Sequence, residues 1–340
     1  MKTYRNGRGV RAVEPAMTDL THWSFPSQLQ PAPAEVDFDL DRALRAVVRL
    51  ASHIPEDGFT APMLGTERTG NGVVVRDDGL IVTIGYLITE AEAIWITTHD
   101  GRVVPGHPLA YDFATGMGLV LPLGPLGLAP VPFGTAASAA VDDEVFVIGH
   151  GGRGHALKAE IFARREFAGY WEYLLDVALF TSPPHPEWSG AALLDRDGRL
   201  IGIGSLFVQE AAGDDVRKGN MFVPIDVLTP ILDDMVNTGR AARPPRPWLG
   251  MYASEDNQRL VVGGLAQGGP AERAGVRQGD LIVAVGGQRV GTLAELFRSV
   301  WNLGPSGTEI PITLARDGAT VPVKVRSADR GDFLKKPSLQ

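Results

Sequence analysis

The chain of 340 residues contains no cysteine. That excludes disulfides, a thiolate metal site and a cysteine nucleophile. It does not choose between an oxidising and a reducing compartment. Clustered cations are missing too. Lys and Arg number 32 against 40 Asp and Glu, a formal net charge of −8, with no basic run. Nucleic acid is a poor partner for such a chain, because phosphate contacts need clustered Lys and Arg. The 7 histidines include no H-x-x-x-H pair, and no metal site and no cofactor is expected. A long uncharged stretch, Ala114 to Val141, contains Pro122, Pro125, Pro130 and Pro132. An isolated helix with those prolines would have broken hydrogen bonds in lipid, so no membrane span is expected. The first twenty residues lack an apolar signal-peptide core, which points to the cytoplasm. Met17 is an alternative start to Met1.

What the chain has in quantity is turn residues, 41 Gly and 25 Pro, set between apolar runs. This pattern predicts many short strands. Length divided by ~150 residues per domain gives about two domains. Residues 1–38 are polar and Pro-dotted, an expected extended arm whose large aromatics before Val36 are Tyr4, Trp23 and Phe25. From Val36 a short helix capped by Asp39 or Asp41 is expected to run into a strand. Asp77-Asp78-Gly79 and His99-Asp100-Gly101 then mark hairpins. About a dozen strands over roughly 200 residues suggest closed or paired barrels. Ile225–Asn237 reads as a terminal helix ending at Gly239. Residues 241–247, AARPPRP, form a stiff Pro-rich linker.

Three segments carry chemistry when read together: 70–102, YDFATGMGLVLPL at 111–123, and HPEWSGAALLDRDGRLIGIGS at 185–205. Their order and texture resemble the protease domain of the HtrA family of trypsin-like serine proteases, over about residues 39–240. The resemblance implies a mostly β fold, a trypsin-like double six-stranded β-barrel. In the family a histidine base, an orienting aspartate and a Gly-Asn-Ser-Gly-Gly-Pro serine make the triad. Here Tyr86 stands at the histidine position, Gly116 at the aspartate position, and Ser189 at the serine position. A serine hydroxyl needs an adjacent base to become nucleophilic at neutral pH. Tyrosine, with an ordinary pKa of about 10, is a poor base. Loss of the serine or histidine from a triad costs on the order of 10⁶ in kcat. Glu187 replaces the glycine two residues before the serine, which puts the oxyanion hole in doubt, and Trp188 is bulky enough to fill the cleft. Ser189 then reads as a turn residue, Tyr86 as a cleft filler and Glu187 as a solvated carboxylate. A relocated base would have to be His185 or His150, whereas His99 and His107 look like surface positions.

Residues 248–327 resemble the PDZ domain that follows HtrA protease domains, with a tail at 328–340. The segments Gly268–Val276 and Gly279–Gly287 match its turn, short helix and strand, and Leu293–Leu303 would be the groove helix. The resemblance places a carboxylate-binding loop at Trp248, Leu249, Gly250 and Met251, whose backbone would hold a peptide terminus while the strand from Met251 pairs with it. Phe297 or Val300 would line the side-chain pocket or belong to the core. The expected partners are peptide C-termini or unfolded polypeptide. The expected function is a proteolytically inactive binder or scaffold. The alternatives are an active endopeptidase using Ser189 with a relocated base, or a structural subunit of a mixed oligomer. The family's trimers are held by N-terminal aromatics, which makes a homotrimer through Trp23 and Phe25 the candidate assembly. The other reading of these two rings is packing on the body.

Overall fold

The computed structural model describes residues 4–5, 11–12, 23–212, 215–256 and 259–336. The alternative starts at Met1 and Met17 and the last four residues of the tail lie outside the described residues. Two short strands, β1 (Tyr4–Arg5) and β2 (Arg11–Ala12), form a hairpin near the start. Helix α1 (Leu40–Ala46) is capped by Asp39, whose carboxylate accepts from the Arg42 N–H at 3.0 Å. Of the two expected caps, Asp39 is therefore the one used. The helix runs directly into β3 (Val47–His53). After α2 (Ala61–Leu64) come β4 (Glu67–Val74), β5 (Ile81–Ile84), β6 (Ala93–Thr97), β7 (Val103–Tyr111) and β8 (Met117–Pro122). These strands close a barrel in the order β3-β4-β5-β8-β7-β6. Leu50, Ile81, Ile96 and Leu119 are fully buried in it, each stabilising by roughly 1.5–3 kcal/mol.

The second barrel uses β9 (Glu144–Ile148), β10 (Ala156–Gly169), β11 (Tyr173–Ser182), β12 (Ala192–Leu194), β13 (Leu200–Ala212) and β14 (Asp215–Pro224). Its strands run β13-β12-β9-β10-β11-β14, and the β13–β14 pairing closes the ring. The N-terminal hairpin adds to the outer part of β13 through β2. The fold is mostly β, as expected, with two six-stranded barrels. The terminal helix is shorter than expected. Residues 225–231 form two 3₁₀ turns, and only α3 (Leu232–Thr238) is α-helical, closed by Gly239 in the left-handed region. Pro230 explains this, since it lacks the N–H that a longer helix would use there.

A third unit follows residues 241–247. Trp248 pairs with Ala328, and between them lie β15 (Met251–Asp256), β16 (Arg259–Leu265), α4 (Pro270–Arg273), β17 (Leu281–Val285), β18 (Gln288–Arg289), α5 (Leu293–Trp301), β19 (Glu309–Arg316) and β20 (Ala319–Arg326). The sheet order is β15-β16-β17-β19-β20, so β15 lies at an edge. This unit has its own apolar cluster, which includes Leu249, Met251, Phe297 and Val300. One second-barrel residue, Leu174 of β11, is buried in the same cluster. The Pro-rich segment is pinned on both sides. Arg243 reaches Asp112 of the first barrel at 2.5 Å, and the Arg246 guanidinium lies 4.1 Å over the Trp301 ring.

Candidate functional site

The two barrels meet where the family's triad would stand. Strand β5 ends in a 3₁₀ turn, Gly85–Leu87, that carries Tyr86 into the junction. The buried Arg68 fixes that turn, donating to the Tyr86 carbonyl at 2.7 Å. The Tyr86 hydroxyl lies 2.7 Å from Ser189 Oγ and 2.8 Å from the Ser205 carbonyl. A phenol has one proton. With it donated to Ser205, the Ser189 hydroxyl donates to the Tyr86 oxygen. Among the described residues, no imidazole or carboxylate hydrogen-bonds to Ser189 Oγ.

Gly116 lies in the turn before β8, at φ +76°, where a residue with a Cβ is strained. A Cβ built there would stand 3.0 Å from the Tyr173 hydroxyl. That hydroxyl donates to the Thr115 carbonyl at 2.6 Å. The space an aspartate would need is thus filled by a buried tyrosine.

The segment before Ser189 is held by side chains that sequence reasoning passed over. Asn71 of β4 donates its side-chain amide to the Glu187 and Ser189 carbonyls at 2.8 and 3.1 Å. Its side-chain oxygen accepts from the His150 N–H at 2.7 Å. Its place between Gly70 and Gly72, in a strand that must approach Ser189 closely, was the available signal. The Glu187 N–H, which the family geometry would aim at an oxyanion, instead donates to His185 Nδ1 at 3.0 Å. Glu187 is also not solvated as expected. Its carboxylate meets His155 Nδ1 at 3.1 Å. Burial alone would raise its pKa, yet the His155 hydrogen bond holds it below the usual range.

The two candidate replacement bases point elsewhere. His185 is fully buried, with Nε2 2.9 Å from the His155 carbonyl, and burial pushes its pKa down to about 4. His150 Nε2 lies 3.3 Å from the Thr98 carbonyl, and burial likewise lowers its pKa. Trp23 and Phe25 pack on this side of the body, with Trp23 4.3 Å from the His155 ring and Phe25 5.1 Å from the His185 ring.

In the third unit, the 248–251 loop sits between β15 and the turn before α4. The Trp248 N–H bonds the Ala328 carbonyl, so it is not one of the loop's free donors. The Leu249 carbonyl accepts from Ala271 at 2.8 Å, and the Gly250 carbonyl accepts from Ala266 at 2.9 Å. Gly250 has φ +69° and packs against the Trp248 ring and Ala266, a conformation and a gap suited to glycine. The Leu249 and Met251 N–H groups donate to the carboxylate of Glu172, both at 3.0 Å. Glu172, in the turn between β10 and β11, was not singled out from the sequence. Phe297 and Val300 are buried in the apolar cluster. Among the described residues no group of three or more His, Asp or Glu side chains could hold a metal ion, and no helix is long and apolar enough to cross a membrane.

Comparison with known proteins agrees with this architecture. A model of the trypsin-like peptidase domain matches residues 70–203, and a PDZ domain model matches 261–316. The chain is 26% identical over 327 residues to a serine endoprotease DegS of Salmonella typhimurium, covering 92% of this chain and 91% of that protein. It is also 26% identical over 279 residues to a probable periplasmic serine endoprotease DegP-like of Chlamydia pneumoniae, covering 77% of this chain but only 56% of that longer protein. Among solved structures, the HtrA-type protease AlgW with decapeptide superposes with a TM-score of 0.52 at 20% identity, covering 88% of this chain and 98% of that one. The serine endoprotease from Yersinia pestis gives 0.50 at 21% identity, covering 86% and 98%. At these identities the solved structures speak to the fold alone. By domain matches, relatives and architecture together, the chain carries a trypsin-like peptidase domain followed by a PDZ domain and is similar to HtrA-type serine endoproteases.

Proposed function

We propose that this protein is proteolytically silent and works by binding polypeptide, either peptide C-termini or unfolded chains, through its PDZ domain. One observation carries the first half: a phenol, not an imidazole, stands 2.7 Å from the Ser189 hydroxyl. A neutral phenol does not take a serine proton near pH 7. The filled space at Gly116 and the Glu187 N–H turned toward His185 support the same reading. So do His185, whose two ring nitrogens are engaged with backbone groups, and His150, whose Nε2 faces the Thr98 carbonyl. The loop at Leu249, Gly250 and Met251 supports the second half, because two of its N–H groups already donate to a carboxylate. A solved HtrA-type relative carries a decapeptide. Packing of Trp23 and Phe25 on the body gives less support to a trimer contact.

Casein degradation by the full chain and by Ser189→Ala tests the silent site. Equal residual rates are expected, and activity that disappears with Ser189→Ala would restore the endopeptidase alternative. Fluorescence polarisation with a library of labelled peptides with free C-termini tests binding. Absence of any binder tighter than millimolar would remove the peptide-binding half.

A further inference from the structure

The β10–β11 turn delivers a side-chain carboxylate to the place where a PDZ loop takes a peptide terminus. The Glu172 oxygens accept from Leu249 and Met251, and the Gly250 N–H also faces them. Two residues along, Leu174 is buried in the apolar cluster that contains Leu249, Met251, Phe297 and Val300. A carboxylate on the loop amides beside an apolar side chain in the helix-lined cluster is the pair of features a bound peptide terminus presents. We propose that the tip of the β10–β11 hairpin is an internal ligand of the PDZ carboxylate loop. A peptide with a free carboxylate and an apolar last residue then binds only by displacing Glu172 and Leu174.

The turn itself gives independent support. Gly169 pairs with Tyr173, leaving a three-residue loop, Tyr170-Trp171-Glu172. The last position of such a loop ordinarily takes a left-handed glycine. Here it is Glu172 at φ +60°. Local geometry favours glycine, so the choice of glutamate answers to something outside the turn, and the 249–251 amides are what its carboxylate meets. Further contacts hold the hairpin on the domain. Arg298 of α5 bridges Glu166 and Asp176 at 2.5 Å each, the Tyr170 and Tyr252 rings lie 6.2 Å apart, and Arg330 donates to the Trp171 carbonyl at 3.2 Å. Burial pushes the Glu172 carboxyl up to about 7, and the backbone hydrogen bonds oppose that rise.

This inference rests on reading 248–251 as a carboxylate site, and the experiment separates the two. Full-length protein, Glu172→Gln and Glu172→Gly are titrated with fluorescein-labelled decapeptides ending in Val, Leu or Phe, as free acids and as C-terminal amides. Glu172→Gly suits the turn conformation, so loss of folding does not obscure the result. Removing an internal competitor is expected to tighten free-acid binding by about tenfold or more and to leave the amides unchanged. Equal affinity of wild type and both variants overturns the proposal while leaving peptide binding intact. The amide ¹⁵N–¹H resonances of Leu249, Gly250 and Met251 decide the case in which no peptide binds any of the three proteins. A shift of these resonances in Glu172→Gln, largest of all amides distant in sequence from 172, supports the internal ligand, and unshifted resonances overturn it.

Discussion

At the scale of single residues, the junction of the barrels is altered at more than its triad positions. Gly116 has φ +76°, and Tyr173 closes the space beyond it. Restoring Tyr86→His together with Gly116→Asp is therefore expected to leave casein hydrolysis at background. The second change is expected to destabilise the fold by at least about 1–2 kcal/mol from the left-handed backbone alone, measurable by chemical denaturation. Hydrolysis by that double variant would mean the aspartate finds room. His185 supplies a pH prediction. Its folded pKa of about 4 lies below the usual value for histidine, near 6.5. The unfolded chain takes up this proton first as pH falls. The stability linked to neutral His185 is thus complete above about 6.5 and is lost as pH falls toward 4, roughly 3 kcal/mol in all. Denaturation of wild type against His185→Gln at pH 7.5 and pH 4.5 should show the wild-type advantage shrinking at the lower pH. An advantage independent of pH would contradict a buried neutral imidazole. Motif alignment places Tyr86 at the histidine position, but its hydrogen bond to Ser189 is seen only in the fold. The destination of Glu187 was not, because His155 reaches it across 32 positions in a strand-end turn that no local pattern marks.

At the scale of elements, local chemistry predicted most of what formed. Asp-Gly turns marked two hairpins of the first barrel, since glycine supplies the positive φ such turns need. The 225–237 segment is α-helical only over its second half, because apolar spacing continues through Pro230 although helical hydrogen bonding does not. Helix α5 begins with a capping box: the Thr292 hydroxyl accepts from the Glu295 N–H, and the Glu295 carboxylate accepts from the Thr292 N–H. Thr292→Ala should cost about 1 kcal/mol of stability. An unchanged denaturation midpoint would show that packing of Leu293, Leu296, Phe297 and Val300 alone holds the helix.

At the scale of the whole molecule, the two domains are joined by contacts whose partners lie far apart in sequence, such as Glu172 with Met251 and Arg298 with Asp176. Such pairings leave no periodic trace in a single chain, so the docking of the PDZ unit on the second barrel is not legible in the sequence. The Arg298 pairs are partly exposed, and each contributes under about 1 kcal/mol. Charge reversal is more disruptive than removal, because Arg298→Glu sets three carboxylates together. Trypsin is expected to cut after Arg240, at the edge of the linker, several-fold faster in that variant, since Arg243 and Arg246 each precede a proline and resist cleavage. Unchanged cleavage would show that the Glu172 and Leu174 contacts suffice to hold the domains. The account turns most heavily on the chemistry of one hydroxyl. Fluorophosphonate labelling of the full chain beside Ser189→Ala and an active trypsin control tests it directly. The phenol-paired site predicts equal background labelling of both chains and strong labelling of the control. Labelling of the wild type that vanishes in Ser189→Ala would show an activated serine and contradict it.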